Sequence, residues 1–187
     1  MMKIIAIFAS GNGSNFQAII DAVEKGNLMA EIAVLLTDKP DCFAVERAKN
    51  YNIPVFSFNP KNYTSKEAYE KEIALYLIEK NVSLLVLAGY MRLIGEVLLN
   101  AFPNRIINIH PALLPAFPGK NGILQAYQYG VKVFGVTVHY VDAGMDTGKI
   151  IAQECFKADG TETLQKIEQK IHAIEHQLYV KVIREIL

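Results

Sequence analysis

The fold of this chain is decided by Lys3-Ile4-Ile5-Ala6-Ile7-Phe8-Ala9, followed at once by Ser10-Gly11-Asn12-Gly13-Ser14-Asn15. The first part is a short apolar run, which is typical of a buried strand. The second part is a glycine-rich turn that leads into a helical pattern over Asn15-Lys25. A strand, a tight turn and a helix in this order indicate a sheet of parallel strands joined by helices.

The same alternation continues along the chain and predicts an α/β fold with a doubly wound, mostly parallel sheet flanked by helices. We predict strands over Lys3-Ala9, Glu31-Thr37, Val55-Phe58, Leu84-Ala88, Arg105-Ile109, Val133-Val141 and Lys149-Phe156. We predict helices over Asn15-Lys25, Phe43-Asn50, Ser65-Lys80, Gly95-Phe102 and Glu162-Leu187. The segment Pro111-Gly122 holds three prolines and two glycines, so it is expected to be irregular.

Composition and length set limits on the partners and the location. The 187 residues are 51% hydrophobic, which predicts one domain over residues 1–187. Lys plus Arg equals Asp plus Glu at 19 each, so no nucleic acid or membrane partner is expected. The run Ile4-Ala9 is too short for a signal peptide or a membrane span. Cys42 and Cys155 form no CxxC pair and have no zinc-finger spacing to histidine, which indicates no metal and a cytoplasmic location.

The glycine loop, Gly11–Asn15, falls where doubly wound folds bind ligands. Its glycines allow a phosphate to approach the backbone, and the start of the helix offers free N–H groups. A dinucleotide fingerprint would need glycine in place of Phe16, and no ATP-binding P-loop motif is present, so a phosphomonoester is the favoured ligand. The alternative, nearly as well supported by spacing alone, is a tight turn with Asn15 as the helix N-cap.

A second polar motif ends the strand Arg105-Ile109. Period-two alternation puts Asn108 and His110 on one face, where an amide and an imidazolium can stabilise an oxyanion and deliver a proton. The alternative is that both satisfy buried backbone groups. Asp146, in the loop Asp142-Gly148, is the favoured carboxylate partner of His110, although either aspartate of that loop could cap a turn.

Five motifs together resemble the phosphoribosylglycinamide formyltransferases, which are folate-dependent enzymes of purine synthesis. These motifs are GNGSN at 11–15, LAGYMRLI at 87–94, NIHPALLPAFPG at 108–119, DAGMDTG at 142–148 and EH at 175–176. The resemblance spans nearly the whole chain and implies a Rossmann-like formyltransferase fold. It also implies transfer of the formyl group of 10-formyltetrahydrofolate to the amine of 5′-phosphoribosylglycinamide in de novo purine (IMP) biosynthesis.

The resemblance further implies direct attack through a tetrahedral intermediate. The folate is a co-substrate, with no metal and no bound cofactor, and both partners are small molecules. The protein itself is expected to be a monomer or homodimer. By motif match, Asn108 holds the formyl oxygen, His110 donates a proton, and Asp146 orients His110 and manages the proton of the amine.

The remaining site residues also follow from the resemblance. The substrate phosphate and ribose are assigned to Gly13, Ser14, Asn15 and Glu175. The folate is assigned to Lys66, Met91, Arg92, Leu93, Ile94, Val141 and Asp142. Without the resemblance, Met91–Ile94 would be an ordinary connection with apolar residues in the core, and Glu175 a solvated charge. His139 and His172 are expected to be structural or peripheral.

Three positions depart from the family pattern. Lys66 replaces an arginine found in many relatives and offers a point charge in place of a planar fork. The stretch Lys120-Leu124 lacks a histidine, and Val180 stands where proline is usual. A methionyl-tRNA formyltransferase or a folate hydrolase would be expected to carry a further domain, and a binding module would not need the Asn108, His110 and Asp146 set.

Overall fold

The computed structural model describes residues 2–187, in which seven strands form one sheet. The strands are β1 (Lys3–Phe8), β2 (Ala30–Thr37), β3 (Val55–Ser57), β4 (Leu84–Leu87), β5 (Ile106–His110), β6 (Val133–Tyr140) and β7 (Ile150–Lys157). The helices are α1 (Ser14–Glu24), α2 (Phe43–Asn50), α3 (Lys66–Glu79), α4 (Glu96–Ala101), α5 (Gly122–Tyr129) and α6 (Leu164–Ile186), with a 3-10 turn at Pro60–Asn62.

The strand order is β3-β2-β1-β4-β5-β6-β7. Strands β1 to β5 pair in parallel, whereas β6 and β7 are antiparallel to their neighbours. The predicted doubly wound, mostly parallel sheet is therefore confirmed. The chain winds outward in one direction from β1 and in the other from β4, and these two strands are neighbours. Ligands of doubly wound sheets bind beyond the carboxyl ends of the strands at this switch point.

Alternation along β1 shows why both faces of the sheet are covered. Ile5 and Ile7 are fully buried in a hydrophobic cluster with α1, α2, α5 and α6. Ala6 and Phe8 point to the opposite face and are fully buried in a second cluster with α3 and α4. Burial of each large side chain contributes about 1.5–3 kcal/mol, so these alternating residues fix both the register and the two helical layers.

The sequence-based elements agree with the structure except in two places. Helix α5 has no predicted counterpart, because it begins at glycine and its N-cap, Asn121, has a positive φ of 61° and no side-chain cap. It ends at Gly130, whose φ of 81° is the left-handed conformation that favours glycine. The 3-10 turn at Pro60–Asn62 was also missed. None of the helices within residues 2–187 has the length and apolar composition that a bilayer span requires.

The segment between β5 and α5 is irregular, as predicted, but it is firmly anchored. Thr137 of β6 is fully buried and lies opposite His110 in the sheet. Its hydroxyl donates to the carbonyl of Ala112 at 2.7 Å and accepts from the N–H of Leu114 at 3.0 Å. Gln153 of β7 donates to the carbonyl of Leu114 at 3.0 Å. The loop next to His110 is thus held by the antiparallel edge of the sheet.

Candidate active site

A cavity of about 490 Å³ opens beyond the carboxyl ends of β1, β4 and β5. Its walls come from the glycine loop, the segment after β4, the end of β5, the loop after β6, and α6. The lining residues include Gly11–Asn15, Leu87–Ile94, Asn108–Pro111, Gly119–Asn121, His139, Val141, Asp142, Gly144–Asp146, His172 and Glu175. All the predicted site residues except Lys66 therefore line one cavity.

Asp146 lies within 3.5 Å of Asn108, His110 and His139, and we call these four residues the polar cluster. The amide nitrogen of Asn108 lies 3.2 Å from Nε2 of His139 and 3.4 Å from Oδ1 of Asp146. Nδ1 of His110 lies 3.4 Å from Oδ2 of Asp146. An amide nitrogen carries two hydrogens, one for each of the two contacts of Asn108, so Asn108 donates to a ligand when one of the contacts is exchanged for it.

The surroundings of His110 define which of its nitrogens carries a hydrogen. Its Nε2 lies 2.8 Å from the carbonyl oxygen of Phe117, and a carbonyl can only accept, so Nε2 is the donor. Nδ1 remains to face the carboxylate of Asp146. The side chain of His110 is only 5% exposed, and Gly122 approaches it so closely that a Cβ there would lie 3.2 Å from Nε2. The imidazole is therefore held in one orientation.

Asp146 is fixed by its own backbone and by three neighbours. Its φ of 55° is left-handed, a conformation that aspartate tolerates better than most residues. Burial alone would raise the pKa of Asp146, but hydrogen bonding with His139, the N–H of Gly119 at 2.7 Å, and the nearby His110 together lower it below its ordinary value. Asp146 is consequently a carboxylate at neutral pH.

His139 corrects the expectation that this residue is structural or peripheral. It lines the cavity, and its Nε2 lies 3.5 Å from Oδ1 of Asp146. Its Nδ1 donates to the carbonyl of Tyr140 at 2.8 Å, which leaves Nε2 for the cluster. The only feature of the sequence that could have indicated a role for His139 is that it is a histidine in an apolar strand. The antiparallel register pairs His139 with Asn108, and this pairing brings its side chain into the polar cluster.

The glycine loop presents backbone N–H groups at the start of α1. The N-cap of α1 is Gly13, with a φ of 73°, and no side chain caps this helix. The alternative in which Asn15 is the N-cap is therefore wrong. Asn15 is 8% exposed, and its Oδ1 has no hydrogen-bond partner among residues 2–187. The loop offers free donors in the first turn of α1, as an anion site requires.

Glu175 and His172 of α6 form the wall beside the glycine loop. Glu175 is 5% exposed, so its interpretation as a solvated charge is wrong. Its Oε2 accepts a hydrogen bond from Nδ1 of His172 at 2.6 Å. This hydrogen bond raises the pKa of His172 above its ordinary value, against the opposing effect of burial. His172 was expected to be peripheral, but it lines the cavity with about half of its side chain exposed.

The segment after β4 forms the opposite wall. Met91 and Leu93 are exposed at the cavity, whereas Ile94 is buried, so only Ile94 fits the alternative of an apolar connection packed in the core. The N–H of Met91 donates to Oγ of Ser10 at 3.2 Å. Nε of Arg92 donates to Oδ2 of Asp38 at 2.7 Å, and the hydroxyl of Ser10 donates to the other oxygen of that carboxylate at 2.6 Å. This wall is thus tied to the end of β1.

The last two predicted residues differ in position. Asp142 lines the cavity and also caps its own turn, accepting from the N–H of Gly144 at 3.1 Å and from the hydroxyl of Thr147 at 2.7 Å. Lys66 lies outside the cavity lining, and its ammonium group is 3.8 Å from the carboxylate of Glu70. Contact between Lys66 and a ligand stays a prediction.

Comparison with known proteins places the chain in a family. The sequence model described as "Formyl transferase" matches residues 2–183. This chain belongs to the formyl transferase family. It is 53% identical to the phosphoribosylglycinamide formyltransferase of Bacillus subtilis (strain 168), over 100% of this chain and 95% of that protein. The resemblance stated from the motifs is therefore confirmed.

Two further members of the family extend the comparison. The structure of glycinamide ribonucleotide transformylase 1 from Geobacillus kaustophilus matches with a TM-score of 0.96 and 52% identity, covering 100% of both chains. The "Trifunctional purine biosynthetic protein adenosine-3" of Chironomus tentans is 36% identical over 97% of this chain, which spans 13% of that longer protein. The fold class is thus confirmed by a solved structure as well as by the strand order.

Proposed function

We propose that this member of the formyl transferase family transfers the formyl group of 10-formyltetrahydrofolate to the amine of 5′-phosphoribosylglycinamide. This is a formyl transfer step of de novo purine (IMP) biosynthesis, and the folate is a co-substrate. One observation carries the proposal: Asn108, His110 and Asp146 meet in a cavity whose other end is the glycine loop. Acyl-transfer groups and an anion site thus face the same space.

The reaction proceeds by direct attack. The amine nitrogen of the substrate bonds to the formyl carbon, and the formyl oxygen becomes an oxyanion. Asn108 donates an amide hydrogen to this oxygen in place of its 3.4 Å contact with Asp146, and the positive charge of the protonated imidazole of His110 stabilises the oxyanion. Donors aimed at a developing oxyanion are among the largest contributions to acyl transfer.

A single proton must then move from the attacking amine to N10 of the folate. Asp146 suits this task, because its lowered pKa keeps it ionised at neutral pH and its carboxylate touches Nδ1 of His110. Asp146 takes up the proton from the amine, and His110 donates its own proton to N10. Transfer of the proton from Asp146 to Nδ1 of His110 then restores both groups. The carbon–N10 bond then breaks, which releases tetrahydrofolate and the formylated amide.

The two substrates are held by different walls of the cavity. Gly13, Ser14 and Asn15 hold the phosphate through N–H groups at the start of α1, and Glu175 accepts hydrogen bonds from the ribose hydroxyls. The folate lies against Met91, Arg92, Leu93 and Ile94 on one side and against Val141 and Asp142 on the other. Lys66 meets the tail of the folate from outside the cavity wall.

We also propose that residues 1–187 act as one formyltransferase domain, as a monomer or homodimer in the cytoplasm, on small molecules alone. Support for one domain comes from the sheet, since all seven strands belong to it and two hydrophobic clusters cover its faces. Cys42 and Cys155 are both free, which fits a reducing compartment.

The test of this function is product analysis by mass spectrometry. The purified protein is mixed with 10-formyltetrahydrofolate, with and without 5′-phosphoribosylglycinamide. We expect tetrahydrofolate and the formylated amide to appear in equal amounts, and only when the amine is present. Release of formate at the same rate without the amine would assign the chain to folate hydrolysis. No consumption of either compound would contradict the proposed substrates.

A further inference from the structure

Arg47 of α2 lies outside the cavity but is hydrogen bonded to the glycine loop. Its Nε donates to the carbonyl oxygen of Asn12 at 2.9 Å, and its Nη2 donates to Oδ1 of the same residue at 3.0 Å. We propose that Arg47 is a positioning residue that aims the backbone N–H of Gly13 at the substrate phosphate. This inference rests on the proposed function and extends it to a residue 35 positions from the loop.

The direction of the Gly13 N–H follows from peptide geometry. The carbonyl of Asn12 and the N–H of Gly13 belong to one planar unit, and in a trans peptide these two groups point in opposite directions. The guanidinium of Arg47 holds the carbonyl on the side of α2. The N–H of Gly13 therefore points away from α2, and Gly13 lines the cavity whereas Arg47 does not.

A second contact from α2 orients the preceding peptide unit, Gly11–Asn12, in the same direction. The N–H of Ala44 donates to the carbonyl of Gly11 at 3.2 Å, which turns the N–H of Asn12 away from α2. Helix α2 packs so closely behind the loop that a Cβ on Gly13 would lie 2.9 Å from Cβ of Ala44. The loop therefore rests on α2, and Arg47 provides the only side-chain hydrogen bonds from α2 to the loop among residues 2–187.

The guanidinium of Arg47 is itself held in place. Its third nitrogen, Nη1, donates to Oε1 of Gln17 at 2.9 Å, and its carbon lies 4.7 Å from the centre of the Phe43 ring. The amide nitrogen of Gln17 in turn donates to Asp21 at 2.8 Å and to the hydroxyl of Tyr51 at 3.1 Å. Each guanidinium nitrogen thus has a protein acceptor, which fixes the orientation of the side chain. Because Arg47 is also absent from the cavity lining, we infer that it acts on the phosphate through the loop.

Lysine cannot reproduce this arrangement, so a substitution by lysine separates the effect of the hydrogen bonds of Arg47 from the effect of its positive charge. A lysine keeps the positive charge but lacks the planar fork that contacts the carbonyl and side chain of Asn12 together. We therefore compare Arg47→Lys with Arg47→Met. Lys49→Met is the matched control, because Lys49 is an exposed cation on the same helix, and its ammonium group has no hydrogen bond or ion pair among residues 2–187.

The experiment measures KM for 5′-phosphoribosylglycinamide, KM for the folate, and kcat, with the dephosphorylated nucleoside as a second acceptor. Both Arg47 variants should raise KM for the phosphorylated substrate by about tenfold or more, because a misdirected donor loses a charge-assisted hydrogen bond. We expect folate KM, kcat, and kcat/KM for the nucleoside to change less than about twofold, as in Lys49→Met.

Three outcomes would overturn the inference. A wild-type KM in Arg47→Lys would show that charge alone matters. An equal loss with the phosphorylated and dephosphorylated acceptors would indicate a general effect on the fold. No change in Arg47→Met would remove the residue from phosphate binding.

Failure of the proposed function is distinguished by a binding measurement that needs no formyl chemistry. Inorganic phosphate is titrated into wild type, Arg47→Lys, Arg47→Met and Lys49→Met while the amide signal of Gly13 is followed by NMR. Positioning predicts that phosphate shifts the Gly13 signal in wild type and Lys49→Met, with weaker binding in both Arg47 variants. Equal binding by all four proteins would contradict the role of Arg47, whatever the acceptor of the reaction.

Discussion

The polar cluster consists of buried and half-buried side chains in contact with one another, whereas the glycine loop presents backbone N–H groups that residues outside the cavity hold in place. Asp146 alone contacts Asn108, His110 and His139 within 3.5 Å. The glycine loop instead depends on contacts from α2. At one end of the cavity, the functional groups are therefore held by contacts among themselves. At the other end, they are held by a helix packed behind them.

This difference separates chemistry from binding. The acid–base groups must be side chains, because the backbone supplies neither an imidazole nor a carboxylate at a chosen position. An anion can be held by backbone donors, which every substitution within the loop except proline leaves in place. Substitutions in the polar cluster should therefore change the rate of the chemical step, and substitutions around the glycine loop should change affinity for the phosphorylated substrate.

The largest effect is expected for Asp146→Asn. An asparagine cannot accept the proton of the amine or attract a proton to Nδ1 of His110, and general acid–base catalysis contributes about 10²- to 10⁴-fold. We expect kcat to fall within that range and KM for the phosphorylated substrate to stay within about threefold. The measurement is steady-state kinetics. A higher KM with an unchanged kcat would contradict the account, because it would assign Asp146 to substrate binding and not to the chemical step.

Asn108→Ala should have the next largest effect. It removes one donor from the oxyanion, and loss of such a donor costs about 10²- to 10³-fold in kcat. A decrease of less than about tenfold would remove Asn108 from the mechanism. The control is the thermal midpoint of unfolding. Because Asn108 is half-buried, a fall in kcat must be distinguished from a loss of folded protein.

Gly122→Ala tests whether the orientation of His110 matters beyond its identity. The new Cβ would lie 3.2 Å from Nε2 of His110 and from the carbonyl of Phe117, so the imidazole must shift by a few tenths of an ångström. A misplacement of about 1 Å can cost about 10²-fold, so we expect a loss of about tenfold in kcat. Unchanged kcat at normal stability would show that the polar cluster tolerates displacement.

The smallest effect concerns His172→Gln and the pH dependence of binding. The hydrogen bond to Glu175 raises the pKa of His172, so its positive charge beside the glycine loop persists to higher pH than in an ordinary histidine and is lost as pH rises through the raised pKa. KM for the phosphorylated substrate should therefore rise several-fold from about pH 6.5 to pH 9 in wild type. The phosphate itself is already doubly charged above its second pKa of about 6.

In His172→Gln this rise of KM should disappear, while kcat keeps its wild-type dependence on pH. The same dependence of KM in both proteins would assign the titration to another group. It would also sharpen the comparison, because the glycine loop would then hold the phosphate without a side-chain cation.

The parts of the fold that could be predicted are those with local signals. Neighbouring residues alone encode the apolar run of Lys3–Phe8, the turn at Gly11–Asn15 and the polar end of β5. Helix α5 could not be predicted, because its start at Gly122 lacks a capping side chain and its eight residues are few for a periodic pattern.

The parts of the site that could not be predicted depend on distant contacts. His139 joins the polar cluster only through the antiparallel register of β5 and β6, and no local pattern encodes that register. Arg47 contacts Asn12 only because α2 packs behind the glycine loop. The sequence around Glu175 is that of an ordinary amphipathic helix with an exposed charge, and only the packing of α6 shows that Glu175 is buried.

The central claim is that the polar cluster performs the formyl transfer while the rest of the cavity binds the substrates. The most direct test is His110→Ala, in which single-turnover rate and equilibrium binding of both substrates are measured on the same preparation. The account predicts that both dissociation constants stay within about threefold of wild type while the single-turnover rate falls by about 10²-fold or more. A single-turnover rate close to that of wild type, with both substrates bound, would contradict it.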